Sequence, residues 1–104
     1  MLDPQPDSSI KVTFRSTKNG KELRMNFLSR HMNLSWEKII REELDGFSRI
    51  SMRTEFQLQR FCLRHLDGSI IDLDGVLGNS NLTVLMTEAT DNDPWWIEGG
   101  MVMK

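Results

Sequence analysis

The chain has 104 residues, which is enough for one domain core but not for two. Its formal net charge is −2, and the small excess of basic residues between positions 10 and 86 is far below that of a nucleic-acid-binding surface. A single cysteine excludes an internal disulfide, and no apolar run is long enough for a signal peptide or a membrane span. We therefore expect an intracellular monomer, cytoplasmic or nuclear, that binds neither nucleic acid nor membrane.

The first patterned segment predicts a β-hairpin. Residues 1–9 include Pro4 and Pro6 without apolar periodicity, so we expect a disordered leader. Apolar and polar residues then alternate over positions 10–15 and again from position 23, as in half-buried strands. Asn19 and Gly20 between the two runs tolerate the positive φ of a tight turn. The inward side chains of this antiparallel pair are expected to be Ile10, Val12, Phe14, Leu23, Met25 and Phe27.

A helix is predicted after the hairpin. Either Asn33 or Ser35 can cap its N-terminus, and Gly46 stands where a left-handed residue would end it. We expect residues 47–55 to form a packed connection. The apolar residues of the helix fall at helical spacing and are Trp36, Ile39, Ile40 and Leu44.

The second half of the chain predicts further strands. Residues 59–66 form a third strand, with Arg60, Cys62 and Arg64 outward and the intervening apolar residues inward. After an Asp-Gly turn, residues 69–73 form a short fourth strand, and Val76 and Leu77 face inward in a helical turn. Residues 82–87 are mostly apolar, so they form a central strand that lies parallel to the first.

This element order resembles the ubiquitin-like superfamily. The segments FCLRHLDGSIID (61–72) and VLGNSNLTVLM (76–86) resemble the family's third strand, its Asp-Gly turn, its short helical turn and its closing strand. The resemblance implies an α+β fold of the β-grasp type, in which a mixed sheet of four or five strands packs on one helix. It covers residues 10–87 and leaves residues 88–104 as an acidic and aromatic tail.

No residue pattern predicts catalysis. Cys62 and His65 are three positions apart on a strand and therefore point to opposite faces, so they cannot form a thiolate and base pair. Asp72 and Asp74 lack the remaining ligands of a calcium loop, and the chain has no phosphate-binding glycine motif. We expect no enzyme activity, no metal and no cofactor.

Outward basic residues predict a protein-binding surface. They are expected to attract an acidic partner protein, although a solvated sheet face would show the same pattern. Among ubiquitin-like proteins, Ras-binding domains use early-strand cations in this way, and Phox-and-Bem-type domains use a first-strand lysine at a position like that of Lys11. These two adaptor types are alternatives to a binding module of another kind. The expected partner-binding cations are Lys11, Arg15, Arg24, Arg60 and Arg64.

The tail permits two further interpretations. Trp95 and Trp96 either fold back onto the domain or bind another protein directly, since tryptophan is enriched at binding hot spots. Gly99 and Gly100 resemble the terminal Gly-Gly of ubiquitin-like modifiers, which implies as an alternative function conjugation through Gly100 after removal of residues 101–104.

Overall fold

The structure, a computed structural model, describes residues 9–42, 58–99 and 101–104. The described residues form an α+β arrangement with one α-helix and six strands. In chain order these are β1 (Ser9–Ser16), β2 (Glu22–Leu28), a 3-10 helix (Ser29–His31), α1 (Trp36–Glu42), β3 (Arg60–Arg64), β4 (Leu82–Glu88), β5 (Trp96–Glu98) and β6 (Met101–Met103).

One mixed sheet contains all six strands, in the order β2-β1-β4-β3-β5-β6. The central pair β1 and β4 is parallel, with Phe14 opposite Val84, and the other neighbours are antiparallel. The predicted central position of the last apolar strand, beside the first and parallel to it, is confirmed. The strand count differs from the predicted four or five, because β5 and β6 come from residues that the sequence analysis assigned to the tail.

The first hairpin has the predicted strands and turn. Ile10 lies opposite Phe27 and Val12 opposite Met25, so the inward residues of β1 and β2 share one face. Gly20 has a φ of 76°, and its amide donates to the Ser16 carbonyl at 2.8 Å. A side chain would be strained in this left-handed conformation, which explains the glycine.

Helix α1 begins at Trp36, directly after Ser35, which is one of the two predicted N-cap residues. The Ser35 hydroxyl oxygen accepts a hydrogen bond from the Lys38 amide at 3.2 Å, as an N-cap does. Two further amides at the helix start donate to a neighbouring loop: Trp36 to the Gly75 carbonyl and Glu37 to the Leu73 carbonyl. Residues 1–8 of the expected leader, the predicted Leu44 and Gly46, and the connection 47–55 lie outside the described residues.

The segment after β3 departs from the prediction. Instead of a fourth strand over residues 69–73, only Ile70 forms a β-bridge, opposite Arg64. The chain then leaves the sheet because its carbonyls at Leu73 and Gly75 accept hydrogen bonds from the start of α1. Leu77 is buried as predicted, whereas Val76 is 58% exposed and forms a bridge with Ser35 rather than an inward helical turn.

Strand β5 occupies the sheet position next to β3, with Ile97 opposite Phe61. The connection from β4 to β5 passes the outer face of β3, the face that points away from α1. Cys62 points outward as predicted, and it is nevertheless fully buried. Its sulfur is 3.2 Å from the Thr87 hydroxyl oxygen.

The core lies between α1 and the inner face of the sheet. Burying these side chains supplies most of the favourable free energy of folding. Trp95 and Ile97 belong to this core, so residues beyond 88 contribute to it directly. The fully buried large side chains are Phe14, Phe27, Phe61, Ile39, Ile40, Leu58, Leu63, Ile71 and Met86.

Candidate binding face of the sheet

All five cations that the sequence analysis selected lie on the outer face of the sheet. Lys11 and Arg15 alternate with buried residues of β1, and Arg24 lies opposite Thr13 in the hairpin. Arg60 and Arg64 alternate with the buried Phe61 and Leu63 of β3 and so share the outer face. The five cations therefore share one face, but the two halves of that face differ in their surroundings.

The half formed by β1 and β2 exposes its cations. Arg15 donates to Glu22 at 2.8 Å, and Arg24 lies 3.8 Å from the same carboxylate with 68% of its side chain exposed. The Lys11 backbone amide donates to the Asn81 side-chain oxygen at 2.7 Å, which fixes the start of the strand. The Lys11 ammonium makes no ion pair with any residue in the described ranges.

The half formed by β3 is already bound by carboxylates of the same chain. Arg64 donates to Asp93 at 2.6 Å, to the Thr87 hydroxyl at 3.2 Å and to the Gly68 carbonyl at 3.0 Å. Arg60 donates to Asp91 at 3.1 Å. Residues 89–93, which connect β4 to β5, therefore neutralise the two arginines that were expected to meet an acidic partner.

Asp93 also organises its own loop. One carboxylate oxygen binds Arg64, and the other accepts from the Thr90 amide at 2.8 Å. The Asp93 side chain is 10% exposed, whereas that of Asp91 is 94% exposed. Asp93 is thus the anchor of this segment and Asp91 a solvated neighbour.

The two adjacent tryptophans have different environments. Trp95 is buried in the core, and its indole N–H donates to the Ile71 carbonyl at 3.0 Å. Trp96 points to the outer face, where the Arg60 guanidinium lies 4.5 Å from its ring centroid in a cation–π contact. The Arg60 Nε is buried and has no hydrogen-bond partner among the described residues.

The glycine pair of the modifier interpretation lies between β5 and β6. Gly99 is exposed with a φ of 60°, while Gly100 lies outside the described residues. Glu98 pairs with Met101, and Trp96 with Met103, so the residues after the glycines continue the sheet.

A shallow depression of about 530 Å³ opens at one end of the outer face. It combines a cation with the side chain of Leu66, which is 65% exposed. Sequence reasoning missed this feature because nothing in the pattern distinguishes an exposed leucine at a strand end from a buried one. Its lining residues are Lys11, Thr13, His65, Leu66, Asn81, Leu82 and Thr83.

The acidic residues that follow β3 do not form one cluster. Asp67 accepts hydrogen bonds from the Ser69 hydroxyl at 2.6 Å and the Ser69 amide at 2.9 Å, which lower the pKa of the Asp67 carboxyl. Asp72 and Asp74 lie together at a separate groove near α1. Within the described ranges, no three His, Cys, Asp or Glu side chains come together in a way that could hold a metal ion.

No helix in the described part of the chain has the length and apolar character needed to cross a bilayer. No protein-family model matches the sequence, and the search of curated proteins finds no match.

Proposed function

We propose that the chain is a non-catalytic, ubiquitin-like interaction domain of the β-grasp type that binds an acidic surface of a partner protein through the outer face of its sheet. The hairpin followed by a helix, and the central parallel pair β1 and β4, support the β-grasp assignment. The β5–β6 hairpin would then be an addition to that fold.

The observation that carries the proposal is the binding of the chain's own aspartates to this face. Asp91 and Asp93 bind the two arginines of β3 from a turn, so carboxylates two residues apart on one segment can reach Arg60 and Arg64 together. Lys11 on β1 and Arg24 on β2 present the same charge to solvent elsewhere on this face. A partner with carboxylates on an exposed segment would find there the contacts that the chain makes internally on β3.

The geometry supports a partner of mixed character. In the depression beside Lys11, the exposed Leu66 offers a partner an apolar contact. The cations would steer an acidic partner and fix its orientation. Among the strands of residues 9–42, 58–99 and 101–104, β2 is the outermost on this side, and an extended segment of a partner could add beside it next to Arg24. The Ras-binding and Phox-and-Bem-type domains, as families, use this combination of early-strand cations and a sheet surface.

Charge reversal tests the proposal. A fluorescein-labelled peptide of alternating glutamate and leucine serves as the probe, and its affinity is measured by fluorescence anisotropy at low and high salt. K11E and R24E should each weaken binding by roughly three- to tenfold at low salt, since reversal replaces one attraction by a repulsion. The matched control K38E changes the same charge on α1, outside this face, and should leave the affinity unchanged.

Two results would refute the proposal. One is binding that K11E and R24E leave intact, and the other is an equal loss in K38E, which would indicate a response to net charge rather than to this face. Circular dichroism of each variant establishes that it is folded.

A further inference from the structure

A groove of about 420 Å³ lies on the helix side of the sheet, between the start of α1, residues 70–74 and the entry to β5. Hydrogen bonds to two backbone carbonyls fix its walls. The Glu37 amide donates to the Leu73 carbonyl, and the Trp95 indole donates to the Ile71 carbonyl. The volume is within the range of sites that bind side chains or small ligands.

The groove is apolar at its base and acidic at its rim. Ile71, Leu73 and Trp95 are buried residues whose edges form the base. Three carboxylates and one ammonium surround it, which leaves the rim net negative. The complete lining is Glu37, Ile70, Ile71, Asp72, Leu73, Asp74, Pro94, Trp95 and Lys104.

One cation of the chain already lies in this groove. The Lys104 ammonium forms an ion pair with Glu37. This contact is the main reason that the pKa of the Glu37 carboxyl lies below its usual range. Arg41 adds a second contact to Glu37 at 3.3 Å. The groove therefore already accommodates one primary ammonium beside Glu37.

The other two carboxylates of the rim have no ion-pair partner within the described part of the chain. Asp72 accepts a hydrogen bond from the Asp74 amide at 3.0 Å, and neither carboxylate forms an ion pair with a residue that the structure describes. Ile70 and Pro94 leave apolar surface open beside them. With Lys104 in the groove, the Asp72 and Asp74 charges and the apolar surface of Ile70 and Pro94 thus remain open to a partner.

We propose that this groove binds a basic segment of a partner protein, in which a lysine or arginine is flanked by an apolar residue. The partner's cation takes the place of Lys104 at the rim, and the apolar side chain lies against Ile70 and Pro94. Charge complementarity selects this occupant, because an acidic segment would meet three carboxylates. The inference concerns a surface separate from the outer face and holds whether or not that face binds an acidic partner.

The probe for this site is a short capped peptide of alternating leucine and arginine, with alternating leucine and glutamate as its control. Titration into the ¹⁵N-labelled full chain is followed by NMR. We expect the basic peptide to shift the Trp95 indole N–H and the Ile70 amide, and the acidic peptide to leave both in place. No shift at either group, or equal shifts with both peptides, would overturn the inference.

Three variants separate this site from general charge effects. D74N removes a rim charge that has no ion pair among the described residues, and it should weaken binding of the basic peptide by roughly two- to fivefold. K104Q removes the competing cation and should strengthen binding of the same peptide by a similar factor. K38Q removes the same charge from α1, at the residue next to Glu37 but outside the groove lining, and should have no effect. An unchanged or weaker affinity in K104Q, or an unchanged affinity in D74N, would contradict the proposed competition.

Discussion

Asp93→Asn tests whether residues 89–93 are anchored to the outer face as the structure indicates. The Asp93 carboxylate accepts from Arg64 at 2.6 Å through one oxygen and from the Thr90 amide at 2.8 Å through the other. An asparagine has only one carbonyl oxygen, so it can accept from one of these donors but not from both. The substitution therefore removes a contact without changing the size of the side chain.

The magnitude follows from burial. The Asp93 and Arg64 side chains are 10% and 27% exposed, which places the pair between a solvated ion pair and a buried one. Hydrogen bonds to charged groups contribute about 1.5–3 kcal/mol, and exposed ion pairs contribute about 1 kcal/mol or less. We expect Asp93→Asn to lower the free energy of unfolding by about 1–2 kcal/mol, which lowers the Tm by roughly 5–10 °C for a domain of this size.

Asp91→Asn is the matched control, because it makes the same chemical change in an ion pair with the neighbouring arginine. Its side chain is 94% exposed, so its effect should fall within the error of thermal unfolding measured by circular dichroism. The buried Cys62 gives a second assay, since it should react faster with a thiol reagent in Asp93→Asn than in the wild type. Equal effects of the two substitutions, or a Tm for Asp93→Asn indistinguishable from wild type, would refute the anchoring role.

Two further predictions concern the C-terminal strands. A carboxylate whose pKa is lowered in the folded state adds stability that is complete above its unfolded pKa and is lost as the pH falls through the folded pKa. The Glu37–Lys104 contact should therefore persist at pH values where an ordinary glutamate is already becoming protonated and should open only at lower pH. An NMR titration of the Lys104 amide should lose this transition in Glu37→Gln. Trp95→Ala removes a core side chain and should lower the free energy of unfolding, measured with a chemical denaturant, by about 3–5 kcal/mol. Trp96→Ala, on the outer face, should lower it clearly less. Equal losses would contradict the placement of the two rings.

The first half of the described fold could be predicted from local patterns. Alternation over residues 10–15, the Asn19-Gly20 turn and the Ser35 cap each depend on neighbours within a few positions. The central position of β4 followed from its continuous apolar character, because a strand buried on both sides needs no polar face.

The later elements depended on contacts between distant segments. The segment 69–71 pairs only with the end of β3, near Arg64, before the carbonyls of Leu73 and Gly75 accept from the start of α1. Strand β5 pairs with the beginning of β3, at Arg60 and Phe61. A strand of three residues such as β5 carries too little periodicity to be recognised.

The candidate face was predicted in part. Alternation predicted that these cations point outward from their strands, since a strand's side chains alternate regardless of its neighbours. The strand order of the structure is what brings all five onto one face. The sequence could not predict which cations are neutralised by the chain itself. Asp91 and Asp93 contact Arg60 and Arg64 only because the β4–β5 connection passes over the outer face of β3. The contrast between an acidic tail and a mildly basic middle was the available signal for an internal contact.

The most direct test of the outer face as a binding surface is NMR mapping of the acidic glutamate–leucine peptide on the ¹⁵N-labelled chain. We predict that the largest amide shifts cluster at Lys11, Thr13, Arg24 and Leu66, and that they diminish as salt is raised. Shifts that cluster on α1, or the absence of any shift at these four residues at low salt, would contradict the proposed function.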